Sequence, residues 1–560
     1  MKKTTGLIAA VLSAALCAGL FAGAFAVPVQ AVGSSAGNSA VTSGSGNTES
    51  SSKGSTVLNK LQKKKAEKEP EMPELYKYTR AEAKFTDDYS ASIAFANYDE
   101  LRLSEKSEAE YPELADILDK LATIKDEDYI DAYKDLCSRG QEIIDTGTKE
   151  EIEGLLPFQL DSHYFVRRAD TALLSVAEEV ELRGGGDELA YFQCFTFDVQ
   201  TGEWIAPADC LTKPDETAQL LSEMIRDAYP NVSVSRNQLA DKIMAAFESE
   251  NFQWTAEQES MTFWFDANTI EENTGEAMIM SIPYTEETKE FFPAFYAPQD
   301  VPWGYYFPEY YPAFADLDGD GQDEMIRVWG GGPDDAQFSD WNDSLNISIS
   351  GKIYKVPAEG YDLKPILVKT GGKVCLYACT IGSDDYRIIS CFDLMEKEPE
   401  HLGDVLGGPP VYPYQELPED FFEHYDRVPA RIWTDFLNFK LDQRLYILGT
   451  SGGTRPFYIS RTGLPVPDPD EPYEFDEQTD LKLLISMKVD RVDEDGKVTE
   501  SVRLSRGAIL TPYRTDGETY VDMITDDGMI VRFDLEANDW PHLVNGMDAE
   551  EVFEGMLYAG

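Results

Sequence analysis

Asp316, Asp318 and Asp320 stand at alternate positions in Phe314-Ala-Asp-Leu-Asp-Gly-Asp-Gly-Gln-Asp-Glu-Met-Ile-Arg-Val-Trp329, with Gly321 next and Asp323 and Glu324 ending the acidic run. Short carboxylates at every second residue wrap a hard cation, and calcium wants about six to eight oxygens. Gly321 permits the sharp turn that brings the Gln322 carbonyl inward. The expected ligands are Asp316, Asp318, Asp320, Gln322 and Glu324, and the expected cofactor is a structural calcium ion. An EF-hand is excluded. Its twelfth position would need a glutamate but holds Arg327, and Met325-Ile-Arg-Val-Trp329 reads as a strand where a helix should follow. The same composition also suits an acidic, Gly-rich turn that holds no ion. Either reading is structural, because no nucleophile or base stands nearby.

Other catalytic signals fail on context. Gly449-Thr-Ser-Gly-Gly453 fits the pattern of a nucleophile elbow, but Thr454-Arg-Pro-Phe-Tyr-Ile459 reads as turn and strand where a helix is required. His163, His401, His424 and His542 are far apart, and Gly330-Gly-Gly332 lacks the Lys and Ser/Thr of a phosphate loop. Carboxylates are too abundant for any glycosidase pair to be singled out.

The elements that must position these residues follow from periodicity. Ala91-Ser-Ile-Ala-Phe-Ala96 reads as a strand. Pro112 to Asp145 carries Leu114, Ile117, Leu118, Leu121, Tyr129, Ala132, Leu136 and Ile143 at helical spacing. Strands are expected around Val166, over 172–182 and over 191–199, followed by helices over 215–229 and 237–247. Short closing strands begin at Phe252, Met261 and Met278. Phe291 to Phe314 packs eleven aromatics into 24 residues, among them Trp303, Tyr305, Tyr306, Tyr310 and Tyr311. They suit core filling, and also a platform for sugars or peptides. Beyond Leu345 short strands alternate with Asp495-Gly496, Asp516-Gly517 and Asp527-Gly528, the dipeptides of tight hairpins. A short helix is expected around 420–437. The fold class is α+β, with a β-rich second half.

Lys2 and Lys3 precede an apolar run from Gly6 to Val29, and Val29-Gln30-Ala31 supplies a small-residue cleavage signal. Residues 1–31 therefore read as a signal peptide, or an uncleaved anchor, and the protein as exported, secreted or held at the cell surface. No other segment approaches transmembrane length. Residues 32–71 read as a Ser/Gly-rich, then Lys/Glu-rich, linker. Without Lys2 and Lys3, 46 basic residues face 103 acidic ones, a net of −57. Such a surface repels nucleic acid and anionic lipid and attracts cationic proteins, basic peptides and divalent metals. Cys137, Cys194, Cys210, Cys375, Cys379 and Cys391 are too dispersed for a disulfide scaffold, although one cross-strand bond among the last three would fit a hairpin.

A family resemblance rests on ordered short motifs. They are Arg168-Ala-Asp170, Leu173-Leu-Ser-Val176, a Gly-rich turn, Phe195-Thr-Phe-Asp198 and Thr201-Gly-Glu-Trp204. Asn251-Phe-Gln-Trp-Thr255, Met261-Thr-Phe-Trp-Phe265 and Ile279-Met-Ser-Ile-Pro-Tyr284 continue the order. Residues of about 75–295 thereby resemble the extracytoplasmic domain of the RsiV anti-sigma factor, a domain of unknown function also found in the N-terminal part of a peptidoglycan deacetylase. The resemblance implies an α+β module over 72–295, followed by a β-rich domain over 296–560 containing the acidic loop 316–324. In RsiV the module binds lysozyme, which implies a cationic protein or basic peptide as partner, or a cell-wall glycan or peptide. This chain differs in the turn, where Arg183-Gly-Gly-Gly-Asp187 has no histidine, and only five residues precede its apolar run. The function expected is a non-enzymatic binding protein of the bacterial cell envelope. The alternative is a cell-wall or carbohydrate-active hydrolase.

Overall fold

The computed structural model describes residues 71–558 apart from 88–90, 249–251, 271–276, 293–294, 296–301, 333–340, 384–385, 411–424, 426–428, 477–478 and 538–540. The expected signal peptide and nearly all of the expected linker lie outside the described residues. Strands hold 48% of the chain and helices 19%, so the α+β expectation resolves into a mostly β protein with several sheets.

The first sheet contains β1 (Leu75–Phe85), β2 (Ser92–Leu103), β3 (Phe158–Ala169), β4 (Leu173–Gly184) and β5 (Asp187–Asp198) in that spatial order. β2 and β3 run parallel, with Ala94 opposite Phe158 and Tyr98 opposite Ser162. A parallel pair needs a crossover, and α1 (Pro112–Thr146) supplies it. Its buried stripe reads Leu114, Leu118, Leu121, Lys125, Tyr129, Leu136. The lysine on that stripe, absent from the apolar pattern, is only 1% exposed.

Lys125 pairs with Glu178 of β4, which is 0% exposed, and its ammonium also bonds the Gln193 amide oxygen of β5. The Tyr129 and Ser162 hydroxyls each donate to Glu178 Oε1 at 2.5 Å. A buried ion pair is tolerated only when its remaining donors and acceptors are met, and here helix and sheet supply them together. Burial and the Glu178 carboxylate also push the Tyr129 phenol well above its ordinary range.

The family-like motifs act as structural clamps. Arg168 Nε donates to Asp170 Oδ2 at 2.7 Å, and its Nη1 reaches the Phe295 carbonyl at 3.0 Å. Asp170 Oδ1 accepts from the Ala172 and Leu173 amides at 2.8 and 2.9 Å, which fixes the β3–β4 turn. At Gly202, φ is +66° and an added Cβ would lie 2.4 Å from the Glu113 carbonyl, so the turn after β5 packs against the start of α1 only without a side chain.

The three-stranded sheet β6 (Gln253–Ala256), β7 (Ser260–Phe265) and β8 (Met278–Pro283) packs against α2 (Pro214–Ala228) and α3 (Arg236–Glu248). Phe263, Trp264, Ile279, Leu221 and Ile243 fill that core. The second large sheet is an antiparallel meander of β10 (Pro312–Ala315), β11 (Glu324–Gly331), β12 (Asn342–Ile349), β13 (Lys352–Thr370), β14 (Lys373–Ile381), β15 (Arg387–Asp393) and β16 (Glu400–Leu406). β9 (Trp303–Tyr306) pairs separately with β13. The last sheet includes Phe439–Leu445, Ser451–Ile459, Ile509–Thr515, Tyr520–Thr525 and Ile530–Glu536, and Val521, Val531 and Phe533 lie in its core. Gly517 and Gly528 hold φ at +89° and +79°, the left-handed backbone that their Asp-Gly hairpin turns require.

Three expectations are corrected. Of the segment expected as a helix over 420–437, residues 420–424 and 426–428 lie outside the described residues, and Ala430–Ile432 is a strand paired with Leu75–Lys77 of β1. Among the short strands expected beyond Leu345, the stretch 502–510 is not one strand but parts of two, Val498–Leu504 and Ile509–Thr515, split by a turn with Gly507 at φ +89°. The six cysteines are free thiols. Cys391 lies opposite Tyr377, between Cys375 and Cys379 on the neighbouring strand, so it meets neither cysteine directly.

Candidate metal loop and adjoining groove

The acidic loop joins β10 to β11, whose pairing brings Ala315 opposite Glu324 and closes its two ends. Its carboxylates organise the backbone. Asp316 Oδ1 accepts from the Gly319 and Asp320 amides at 2.7 and 3.1 Å, and Asp316 Oδ2 from Gly321 at 3.0 Å. Glu324 Oε2 accepts from Leu317 at 2.7 Å. Asp316, Asp318 and Glu324 each bring one oxygen within 4.8 Å of the others. The Asp320 carboxylate instead accepts the Gln322 amide at 2.8 Å. The structure thus converges Asp316, Asp318 and Glu324 of the expected ligands and leaves the Asp320 carboxylate outside that set. A set of carboxylate oxygens with water completing the shell suits a hard divalent cation.

Asp323 is half-buried in the field of Glu259 and Lys369. Burial, reinforced by the Glu259 and Asp316 charges, pushes its carboxyl up to about 7. Lys369 pairs with Glu259, and the Trp303 indole N–H lies 3.4 Å from the same carboxylate. Deeper still, the fully buried Arg167 donates to Glu257 Oε1 at 2.8 Å and stacks on the Tyr305 ring at 4.0 Å. The Tyr305 hydroxyl bonds both the amide and carbonyl of Phe314, at 3.0 and 2.9 Å, which ties the loop's first strand to the same anchor. Sequence reasoning missed this Arg167–Glu257–Tyr305 anchor, because Arg167 and Glu257 stand 90 positions apart and share no motif.

A groove of about 1260 Å³ opens beside the loop. Leu220, Met224, Met278, Met280, Phe314 and Met325 make its apolar floor. Gly321, Gln322 and Asp323 form one rim, and Asp227 and Glu287 add charge elsewhere on the wall. Arg327 enters the same groove with its guanidinium 5.8 Å from the Tyr229 ring centroid. Methionines conform to varied apolar shapes, a common property of binding surfaces.

The other sequence candidates disperse. Ser451 of Gly449-Thr-Ser-Gly-Gly453 opens a strand and not a helix. His163 lies 3.3 Å from Asp99, and His401 2.9 Å from Asp404, each in a separate sheet. His424 lies outside the described residues. Of the aromatic stretch, Trp303 and Tyr305 are core residues, whereas Tyr310 is 61% exposed.

Glu179 of β4 is buried at 9% exposure, and burial, with Glu181 adding charge, raises its carboxyl to about 8. The Tyr311 hydroxyl bonds it, and Arg183 attracts it, without cancelling the burial. Below its ordinary value near 4.5 both folded and unfolded forms are protonated. As pH rises to 8 the unfolded chain releases the proton while the fold retains it, so stability declines across that window and levels off above it. Glu179→Gln is therefore expected to match the parent near the ordinary value of 4.5 and to be more stable by roughly 2–4 kcal/mol at about pH 9. Denaturant titrations at both pH values check this, and a pH-independent difference contradicts it.

Over 40% of its length the chain is similar to the crystal structure of a DUF3298 family member from Bacteroides fragilis, with 13% identity and a TM-score of 0.29, covering 94% of that chain. A DUF3298 family protein from Pseudomonas aeruginosa gives 14% identity and a TM-score of 0.25 over 40% of this chain and 97% of that one. No protein-family model and no curated protein matches the chain. Among the described residues no helix is long and apolar enough to cross a membrane.

Proposed function

We propose that this chain is an exported binding protein of the cell envelope that captures a cationic protein or basic peptide, with calcium in a structural role at the acidic loop. The observation that carries the reading is the groove itself, an adaptable apolar floor edged by Gly321, Gln322 and Asp323 of the loop, with Asp227 and Glu287 on its wall. A basic side chain meets negative charge at the rim while an apolar neighbour enters the floor. The net charge of −55 accelerates encounter with a basic partner. The sequence resemblance to the RsiV ectodomain supports lysozyme as the first partner to try. Asp316, Asp318 and Glu324 would hold the ion, which would neutralise their mutual repulsion and rigidify the rim.

Calorimetric titration of residues 32–560 with lysozyme, with calcium present, is expected to give saturable sub-micromolar binding. Affinity should fall about tenfold or more as salt rises from roughly 0.05 to 0.3 M. Absence of heat with lysozyme and with a basic amphipathic peptide overturns the reading, and salt-independent binding overturns its electrostatic basis.

A further inference from the structure

We infer that the outer face of β11, β12 and β13 is a binding surface for an anionic saccharide chain. Side chains alternate along a strand, and directly paired residues of neighbouring strands share a face. Ile326 and Val328 of β11 and Leu345 and Ile347 of β12 point into the core, so Met325, Arg327 and Trp329 line the opposite face. Register places Ser348 beside Arg327 and Asn346 beside Trp329. The next strand adds Ile353 opposite Ser348 and Lys355 opposite Asn346.

The chemistry of this face departs from the rest of the chain. Acidic residues outnumber basic ones by 103 to 48, yet none of these paired positions holds a carboxylate. Neither Arg327 nor Lys355 has a carboxylate at ion-pair distance among the described residues, and Arg327 Nε is buried without a hydrogen-bond partner. Among the described residues, the acids beside this face have other partners or lie to one side. Asp343 accepts the Ser344 hydroxyl at 2.9 Å, Glu309 accepts the Gly330 amide at 3.2 Å, and Asp227, Glu287 and Asp323 line the groove beyond Arg327.

Beside the cations stands an aromatic pair. Tyr310 stacks on Trp329 with centroids 6.1 Å apart and planes 22° from parallel. Tyr310 is 61% exposed and holds φ at +66°, a left-handed conformation that is costly for a bulky side chain. Its amide bonds the Val328 carbonyl at 2.9 Å, which fixes it there. Aromatic faces take the C–H faces of pyranose rings, while guanidinium and ammonium groups take carboxylate or phosphate. Asn346, half-buried beside Trp329, supplies an amide group for ring hydroxyls. The ligand class is thus a sugar chain bearing carboxylates or phosphates.

The surface deepens the reading of this chain as a binding protein and rests on it, but does not depend on the cationic partner. Titration of residues 32–560 with oligogalacturonate, phosphomannan, a neutral malto-oligosaccharide and poly-L-glutamate tests it, at salt sufficient to screen the overall negative charge. At least one acidic saccharide should bind, and the comparison of the first two names the anion. Lys355→Gln and Arg327→Gln should each weaken that binding about tenfold and leave the weak affinity for the neutral chain unchanged. Trp329→Ala and Tyr310→Ala should weaken both saccharides. Lys355 and Tyr310 are exposed, so Lys355→Gln and Tyr310→Ala should retain the parental melting temperature. No binding to either acidic saccharide overturns the inference, as does binding indifferent to all four substitutions. Poly-L-glutamate binding equally well and insensitive to Trp329→Ala overturns it in favour of acidic peptides. Lysozyme binding with no saccharide binding defeats this inference alone, while failure of both ligand sets defeats the binding-protein reading too.

Discussion

Lys125→Met should lower the stability of the fold by about 3–5 kcal/mol, the usual cost of leaving a buried charge without its partner. Glu178 would remain at 0% exposure, with hydroxyls from Tyr129 and Ser162 but no cation. Glu178→Leu alone should cost a similar amount by stranding the lysine. The double variant Lys125→Met/Glu178→Leu should recover most of the loss, because apolar replacement of an entire buried pair is often neutral. Denaturant unfolding of the four proteins closes the cycle, and additive losses would show that the two side chains do not interact. The expected coupling has a structural cause: the pair joins α1 to β4, and α1 is the crossover between the parallel strands β2 and β3.

Calcium should raise the melting temperature of residues 32–560, by about 2.7 kcal/mol of stability when present at 100 times its dissociation constant. Without an ion the oxygens of Asp316, Asp318 and Glu324 repel one another within 4.8 Å, and a divalent cation converts that repulsion into coordination. Asp318→Ala and Glu324→Gln should abolish the calcium-dependent increment and leave the melting temperature in excess chelator nearly unchanged. Asp320→Ala should reduce it less, since that carboxylate caps the Gln322 amide and stands outside the converging set. Identical melting curves in calcium and chelator would remove the metal from the account. Equal effects of Asp318→Ala and Asp320→Ala would instead restore Asp320 to the ligand set.

Much of the local structure was legible in the chain. The α1 stripe, the two helices after β5 and the Asp-Gly turns each depend on neighbours a few residues away, where periodicity and turn chemistry act directly. The acidic loop was legible for the same reason, as its donors all fall within residues 316–324. Lys125 was not, since a lysine on an apolar stripe carries no sign of the glutamate that awaits it 53 positions later. Ala430–Ile432 was misread because its strand exists only through pairing with β1, which lies in a distant part of the sequence.

The sequence by itself determined the strand and helix periods, the strongly acidic balance and a short carboxylate loop fit for a hard cation. Tertiary structure alone decided that Asp320 stands apart from Asp316, Asp318 and Glu324, and that Met224, Met278, Met280 and Met325 meet beside that loop. It also decided that Arg327, Lys355, Trp329 and Tyr310 share one sheet face. Those arrangements depend on which strands pair and in what register, and register is set by burial across the whole sheet rather than by any one segment.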